Sequence, residues 1–592
     1  MRSNRKQYSS CDGCRRSRVA CNASQLGYRP GDSNWKSSCA RCSRLKQPCS
    51  FQWISNAKRS HAAQPPICQP LTPITVQTES PQDLEFADQG QLDSLLTLWS
   101  NSFVRHSLEP VLNLAIGAQS CPLVTSSCST ANALGIGIFS TLDVWSTTST
   151  EQRDSNHARE KSAEATKRNE SVKRSLLAAA KAFTARWLPL ILNQTDYQTG
   201  DVEEIIRSTW RAARNDMLRV MNRVSYQSVL TLFIFSQTPI PVGITKDEEE
   251  NGISGLVCLH TALLQVQRLR ERYDGRQFRG SEVGTWVNAT AGPSSDPDST
   301  ERYLQLESRI YWAAVGWDTS TSLAYNVRAS LTSGLKGACV EPVWLLVRAF
   351  LVGSFHPQTE TWRTEGFKVT DEAARKIFSG AAVGSMYIWK NITSLKEALR
   401  EGVDEDSLLL TWKSLLDAIN VYRTSICPLL NTCERQLHYL NQQRRLCWFE
   451  VSLQHHLGIL TMIDALKAAH RSDLLAQVLD LGQDTESEIF NVLRFGTDST
   501  YTIRCPKDTT PATGLSEITN APQSTITASL ITIYPLVSRV VDSVALTKRA
   551  IDVKHSQGAI NDEVYSYLNS VLTKALHQLP QYRQRATLFY GN

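Results

Sequence analysis

Residues 11–49 read CDGCRRSRVACNASQLGYRPGDSNWKSSCARCSRLKQPC, a stretch in which one half-motif is written twice. Each half consists of a CxxC pair, six further residues and a third cysteine, and seventeen residues separate the halves. The cysteines are Cys11, Cys14, Cys21, Cys39, Cys42 and Cys49. A CxxC pair brings two sulfurs to one metal ion, and thiolate sulfur is the donor that tetrahedral zinc prefers. The spacing therefore predicts a metal-binding module in this region.

The number of cysteines also limits how metal is bound. Two tetrahedral zinc ions need eight coordination positions, and the six thiolates fill them only if two sulfurs are shared. The spacing thus indicates a binuclear cluster of two zinc ions with two bridging cysteines. Because six thiolates and two zinc ions carry a net charge of minus two, the cluster requires basic surroundings.

Positive charge is concentrated in the same region. Residues 1–60 contain 13 Lys and Arg but only two acids, Asp12 and Asp32, so their net charge is +11. The whole chain carries +6, which leaves −5 for residues 61–592. The basic residues between the metal ligands are Arg15, Arg16, Arg18, Arg41, Arg44 and Lys46. Such a patch suits the phosphate backbone of a nucleic acid.

At CDGCRRSRVAC and CARCSRLKQPC the chain closely resembles the binuclear zinc cluster domain of fungal transcription regulators. The resemblance implies two zinc ions bridged by the first and fourth cysteines, Cys11 and Cys39, and a short helix after each CxxC pair. It also implies that the first helix enters the major groove of double-stranded DNA at CGG-type sites. The implied base readers and phosphate contacts are Arg15, Arg16 and Arg18, and the implied backbone contacts are Arg41, Arg44 and Lys46.

The chain departs from the family pattern in two ways. Ala20 and Ser17 stand where the family commonly has basic residues. An alternative therefore stays open, namely a zinc-stabilised interaction protein or corepressor without direct base reading. The loop 22–38 is also longer than in most members, and together with the tail CSFQW it resembles the cluster of the ethanol-utilisation regulators of filamentous fungi.

The length and composition require a large folded body beside this module. A chain of 592 residues with 41% apolar and 20% charged residues must contain at least one large core. No secretory signal is visible, and the longest apolar run, about 229–235, is far shorter than the ~20 residues that span a bilayer. We therefore expect a soluble, nuclear protein with reduced cysteines and no membrane partner. Short basic runs such as Lys58 and Arg59 suit nuclear import.

Composition divides the chain into three predicted parts: a zinc cluster domain at 1–55, a Pro-rich linker at 56–84 and a helical domain at 85–592. The linker contains five prolines between residues 64 and 81. Because proline interrupts a helix, a dimerising coiled coil is not expected there. We expect a monomer, or a dimer formed through the helical domain.

Apolar residues recur at helical spacing through most of 85–592, and strand-type alternation is scarce. Helices are predicted within 85–99, 172–187 and 525–551, whereas clustered Gly, Ser, Pro and Asp predict a loop at 280–300. The segment 85–99 has a second interpretation as an acidic activation segment. The predicted fold class is all-α: a small zinc cluster module, a flexible linker and a large all-helical regulatory domain.

A second resemblance covers residues 307–331, ESRIYWAAVGWDTSTSLAYNVRASL. This stretch is similar to the most recognisable part of the fungal-specific transcription factor regulatory domain, through Arg309, Tyr311, Trp312 and Asp318. The simplest interpretation of the same residues is a buried aromatic helix whose arginine and aspartate have hydrogen-bond partners.

Motifs of common catalytic sites are missing from the sequence: it contains no HExxH, GxxxxGK[ST] or GxSxG, and no GxGxxG after a strand. His455 and His456 are adjacent on a helical pattern, so we expect one in the core and one facing solvent. We expect no enzymatic activity. A helical ligand-binding or enzymatic protein with an accessory zinc module stays as a third class.

Together these observations predict a zinc-dependent, sequence-specific DNA-binding transcription regulator. The resemblance most often implies a pathway-specific activator of a fungal catabolic or secondary-metabolite gene cluster. Its expected partners are DNA with CGG-type sites and the transcription machinery or coregulators.

Overall fold

The structure is a computed structural model. It describes residues 11–12, 14, 21–23, 37–51, 89–124, 135–151, 158–192, 199–271, 276–278, 286–288, 297–332, 337–364, 366–506 and 523–580. The chain forms two compact units, Met1–Phe86 and Ala87–Asn592. The linker predicted at 56–84 lies outside the described residues, and the three predicted domain boundaries stay predictions.

Helices build almost all of the described chain, which confirms the all-α prediction. The small unit contains α1 (Ala40–Arg44). The first helices of the large unit are α2 (Gln89–Phe103), α3 (Glu109–Ile116), α4 (Gly137–Glu151), α5 (Ala158–Thr184), α6 (Leu188–Leu192), α7 (Thr199–Met221), α8 (Tyr226–Ser236), α9 (Lys246–Glu250), α10 (Gly255–Glu271), α11 (Pro297–Tyr325) and α12 (Gly337–Val340).

The remaining helices are α13 (Pro342–Ala349), α14 (His356–Gln358), α15 (Asp371–Glu401), α16 (Glu405–Ser425), α17 (Cys427–Arg435), α18 (Gln442–Ala468), α19 (Ser472–Ala476), α20 (Leu479–Asp498), α21 (Leu530–Ile533), α22 (Val537–Ser556) and α23 (Asp562–His577). Short π-helical segments are Val104–Leu108 and Phe350–Phe355, and 3₁₀ turns are Ala118–Ser120, Ala185–Trp187, Glu360–Arg363 and Leu437–Tyr439. The strands are β1 (Arg276–Phe278), β2 (Trp286–Asn288), β3 (Thr500–Pro506) and β4 (Gln523–Ser529). Two antiparallel pairs result, β1 with β2 and β3 with β4.

Helices α15 and α18 form the centre of the large unit. Both are buried over much of their length, and their buried residues include polar side chains such as Asn391 and Gln454. The Thr370 hydroxyl accepts a hydrogen bond from the Ala373 N–H at the start of α15, and Gly402 ends the helix with a left-handed φ of 63°. Gly458 of α18 faces Trp389 of α15 so closely that a Cβ at residue 458 would overlap the indole.

The predicted helices at 85–99 and 172–187 are confirmed for the residues that the structure describes. The first begins at Gln89 and buries Trp99. The second is the buried end of α5, which gives way to a 3₁₀ turn after Thr184. Pro189 then lies in the first turn of α6, where the missing backbone N–H costs no helical hydrogen bond.

Two predictions from local pattern are wrong. The segment 525–551 does not start as a helix, because β4 occupies its first residues and α22 begins only at Val537. In the partner strand β3, every second residue is buried, namely Tyr501, Ile503 and Cys505. This alternation is typical of a strand, but the helical spacing of apolar residues nearby made it hard to recognise in the sequence. The predicted loop at 280–300 contains β2 and the beginning of α11.

One described stretch, Asn169–Leu192, is long and apolar enough to cross a membrane by composition. Within its most apolar window, 67% of the residues are buried inside the large unit. Burial of this kind is what a core helix of a globular body shows.

The residues of the second resemblance hold α11 in the core. Arg309 is buried and donates its Nε–H to the carbonyl oxygen of Ile116, at 2.5 Å, where α3 ends. The buried Asp318 carboxylate accepts hydrogen bonds from the N–H groups of Ser330 (2.9 Å) and Leu331 (2.6 Å). These contacts agree with the interpretation as a buried helix whose arginine and aspartate have partners.

The adjacent histidines of α18 both lie against protein. His455 is buried and stacks on the Tyr422 ring, with centroids 4.0 Å apart and planes inclined by 5°. Burial lowers the pKa of both imidazoles, and that of His456 falls to about 4. His455 lies in the core as expected, whereas His456 is half-buried rather than exposed to solvent.

We predict that His456 makes the protein less stable in mild acid. Its pKa is about 4 in the folded chain and 6.5 ordinarily, so folding excludes a proton. The contribution of His456 to the free energy of unfolding is fully present above pH 6.5 and is lost as the pH drops from 6.5 towards 4. Between pH 7.5 and pH 5, protonation of His456 should lower the free energy of unfolding of wild type by up to about 2 kcal/mol. In urea titrations, His456→Phe should not show this part of the loss. The exposed His577, changed to Gln, is the control, and equal pH slopes in both variants would contradict the prediction.

Candidate metal centre

The described residues of the two cysteine half-motifs make equivalent contacts. The N–H of Cys14 points to the Cys11 sulfur at 3.4 Å, and the N–H of Cys42 points to the Cys39 sulfur at 3.5 Å. In the second half this contact begins α1, for which Cys39 is the N-cap. Corresponding residues are 28 positions apart, as Cys11 and Cys39 are. A repeat in sequence has thus become a repeat in backbone geometry.

The two halves are joined crosswise by the residues that follow the first and third cysteines. Asp12 donates its N–H to the Ser50 carbonyl (2.8 Å), and the Ser50 hydroxyl donates to the Asp12 carboxylate (2.6 Å). Ala40, the counterpart of Asp12, donates its N–H to Asn22 Oδ1 at 3.0 Å, and Asn22 is the counterpart of Ser50. The halves are therefore related by an approximate twofold arrangement.

Four sulfurs converge in a buried cluster. The sulfurs of Cys11, Cys14, Cys39 and Cys42 all lie within 4.8 Å of one another. The Sγ–Sγ distances are 3.9 Å from Cys11 to Cys39, 3.6 Å from Cys11 to Cys42 and 3.6 Å from Cys14 to Cys39. Two sulfurs on one tetrahedral zinc ion, each bonded at roughly 2.3 Å, are roughly 3.8 Å apart. The spacing of this donor set fits such an ion.

The third cysteine of each half turns back to the first. Cys49 accepts a hydrogen bond at its sulfur from the N–H of Cys39, at 3.3 Å. The Cys21 sulfur accepts from the N–H of Cys11 in the same manner, and also from that of Ala23. Both cysteines are half-buried against the cluster. All six cysteines are therefore close together, consistent with a binuclear cluster.

The electrostatics of the cluster favour a bound cation. Burial, together with hydrogen bonds to neighbouring sulfurs, raises the pKa of Cys14 to about 12. Burial likewise raises the pKa of Cys49 to about 11. Burial also raises the pKa of Cys39, but hydrogen bonds from the Cys42 N–H and from neighbouring thiols outweigh it and lower the pKa to about 6. Crowded thiolates repel one another in a buried site, and a divalent metal ion relieves that repulsion.

The basic residues of the second half lie beside the cluster. Arg41 and Arg44 belong to α1, and Lys46 follows it with a left-handed φ of 49°. Arg44 and Lys46 are exposed, and Arg41 is half-buried. The three arginines of the first half, Arg15, Arg16 and Arg18, lie outside the described residues, so their predicted role stays a prediction.

The crosswise contacts of Asp12, Asn22 and Ser50 were missed at the sequence level. A signal for them is nonetheless present, because each occupies the position directly after a first or third cysteine. Polar side chains at these positions can reach the backbone of the other half.

No protein-family model matches this chain, and searches of curated proteins and of solved structures find no match either. The class of protein is therefore defined by the fold and the site alone. It is a mainly helical protein with a small module near the N-terminus, in which six clustered cysteines could bind metal ions such as zinc.

We predict that Cys42→Ser releases metal whereas Cys427→Ser does not. Cys42 is one of the four buried sulfurs that lie together, and Cys427 is a half-buried cysteine of α17. Loss of one thiolate donor should remove about half or more of the bound zinc, because structural sites need their full ligand set. Zinc in the purified full-length chains is measured by a colorimetric chelator after denaturation. Equal zinc content in the two variants would exclude Cys42 as a ligand.

Proposed function

We propose that this protein is a zinc-dependent, sequence-specific DNA-binding transcription regulator. The observation that carries the proposal is the convergence of the six cysteine sulfurs beside a short basic helix, α1. Thiolate clusters of this kind hold structural zinc, and exposed arginine and lysine beside them suit phosphate.

Two zinc ions are the proposed content. The sulfurs of Cys11 and Cys39 are the central pair, since Cys11 lies 3.6 Å from Cys42 and Cys39 lies 3.6 Å from Cys14. Each therefore reaches the ligands of the opposite half, which is what a bridging sulfur must do. One ion would be held by Cys11, Cys39, Cys14 and Cys21, and the other by Cys11, Cys39, Cys42 and Cys49. The zinc measurement described above counts the ions, and two per chain are expected.

Zinc binding would fold the small unit, and only the folded unit would bind DNA. Metal binding and DNA binding would therefore depend on each other. The net charge of +11 in residues 1–60 supports attraction to DNA, and Arg44 and Lys46 are the described residues best exposed for phosphate contacts. Base reading falls to Arg15, Arg16 and Arg18, because arginine can bind guanine through two hydrogen bonds. CGG-type sites are proposed from the resemblance of the cysteine motif.

The proposed setting is the nucleus, and the proposed role is pathway-specific activation of a fungal catabolic or secondary-metabolite gene cluster. The large helical unit would act on transcription machinery or coregulators. The rival proposal, an interaction protein or corepressor without base reading, rests on Ala20 and Ser17 standing where basic residues are common.

Selection of random duplex DNA by the zinc-loaded full chain tests the proposal. We expect enrichment of a CGG-containing sequence at a controlled salt concentration, and loss of that enrichment in Cys14→Ser, because the mutation removes a buried ligand. Binding that is equally strong on all sequences would overturn sequence-specific recognition and favour the interaction protein.

Two arginine substitutions separate base reading from phosphate contact. Arg16→Ala should cost about 1 to 3 kcal/mol on the selected site and relax the preference at one base pair. Arg44→Ala should weaken binding to all sequences about equally and reduce the slope of log affinity against log salt by about 1. Fluorescence anisotropy at several salt concentrations measures both. The assignment of Arg16 fails if its loss is the same on every sequence.

A further inference from the structure

The large unit encloses a cavity of about 560 Å³ that the cysteine module does not explain. Seven of the described helices contribute to its walls, namely α3, α8, α10, α11, α15, α18 and α22. Cavities of this volume, mainly apolar and lined by aromatic rings, are typical of sites for small organic molecules.

One wall is made of flat aromatic surfaces. Phe233 and Trp317 stack with centroids 3.8 Å apart and planes inclined by 12°, and both line the cavity. Trp312 lines the same space and makes an edge contact with Trp344, with ring centroids 5.7 Å apart. Such a wall suits a ligand with a planar apolar body.

A charged group deep in the cavity already has its partners. The Glu450 carboxylate is buried and accepts hydrogen bonds from Arg539 and from the Tyr534 hydroxyl. The Arg539 guanidinium also lies over the Trp389 ring, 5.1 Å from its centroid. Because the charges of Glu450 and Arg539 pair with each other, this network does not provide an unpaired charge for a ligand.

The other lining cations each make at least one polar contact. Arg549 forms an ion pair with Asp464 at 3.1 Å. Arg400 donates to the Asn326 carbonyl oxygen at 2.8 Å, and Lys396 donates to the Leu323 carbonyl oxygen at 3.0 Å. An anionic ligand would therefore compete with contacts that these side chains already make.

Asp542 differs from these groups. It lies on the face of α22 that lines the cavity, between Arg539 and Arg549, and is partly buried. Within the described parts of the chain, its carboxylate has no hydrogen bond and no ion pair. Burial raises its pKa to about 6, with no neighbouring charge to offset the effect. A carboxylate in this position is short of a cationic partner.

We infer that this cavity binds a small amphipathic organic amine, whose ammonium group pairs with Asp542 and whose planar apolar body packs against the tryptophan-rich wall. The inference concerns the helical unit alone and does not depend on zinc or on DNA. Binding would give the Asp542 carboxylate a hydrogen-bonded countercharge inside a mostly apolar site, where such a pair is strong.

Three probes with one ring system and different charges test the inference on the full-length protein. They are 2-(1-naphthyl)ethylamine, 1-ethylnaphthalene and 1-naphthaleneacetic acid, titrated at pH 7.5 with tryptophan fluorescence and calorimetry as readouts. The amine should bind about tenfold or more tightly than the other two, as expected for a hydrogen bond to a charged group. Asp542→Asn should remove that preference and leave the affinity for 1-ethylnaphthalene unchanged.

Two further variants complete the design. Ala545 lines the cavity on α22, and Ala545→Phe should abolish binding of all three probes because the new ring fills the space. Asp480→Asn, an exposed acid that does not line the cavity, is the matched control and should bind like wild type. Thermal unfolding and circular dichroism verify that each variant is folded.

The inference is overturned if none of the probes binds, or if the acid binds as tightly as the amine. It is also overturned if a folded Asp542→Asn variant keeps the preference for the amine. Retention of binding by a folded Ala545→Phe variant would place the probe elsewhere and overturn the assignment of the cavity.

Discussion

The contact between Trp389 and Gly458 is the constraint on which the large unit depends. It lets α15 and α18, two long and largely buried helices, approach closely, because glycine leaves room for the indole. The indole N–H donates to the Gln454 carbonyl oxygen at 2.9 Å, so the polar edge of the ring is also satisfied. A larger residue at position 458 would force the helices apart, and close-packed interiors tolerate such changes poorly.

The same tryptophan connects packing with chemistry. Trp389 packs in the core between α15 and α18, and the Arg539 guanidinium lies over its ring. Arg539 in turn pairs with the buried Glu450. The ring also lines the cavity of the large unit. The charged network is thus held by the core, and among the described residues that line the cavity Asp542 is a carboxylate without a hydrogen bond or ion pair.

The small unit follows a different physical principle. A segment of this size cannot bury enough apolar surface to be stable by hydrophobic packing, and metal ligation commonly takes that role. Its buried centre consists largely of cysteine sulfurs. The crosswise contacts of Asp12 with Ser50 and of Ala40 with Asn22 hold the two halves in register. The exposed Arg44 and Lys46 add positive charge beside these sulfurs, which suits a cluster of thiolates.

The sequence by itself determined the features that depend on neighbouring residues. Cysteine spacing identified the cluster of cysteines, because CxxC geometry is local, and apolar periodicity identified the all-α class, because helical period is local as well. Tertiary structure alone decided the rest. The β3 and β4 pair, the stacking of His455 on Tyr422 and the partner of Arg309 depend on segments far apart in the chain. Asp542 looks like any surface acid of an amphipathic helix in the sequence. Only the packing of several helices around a common space leaves its carboxylate partly buried and without a partner among the described residues, because desolvation is a property of the whole fold.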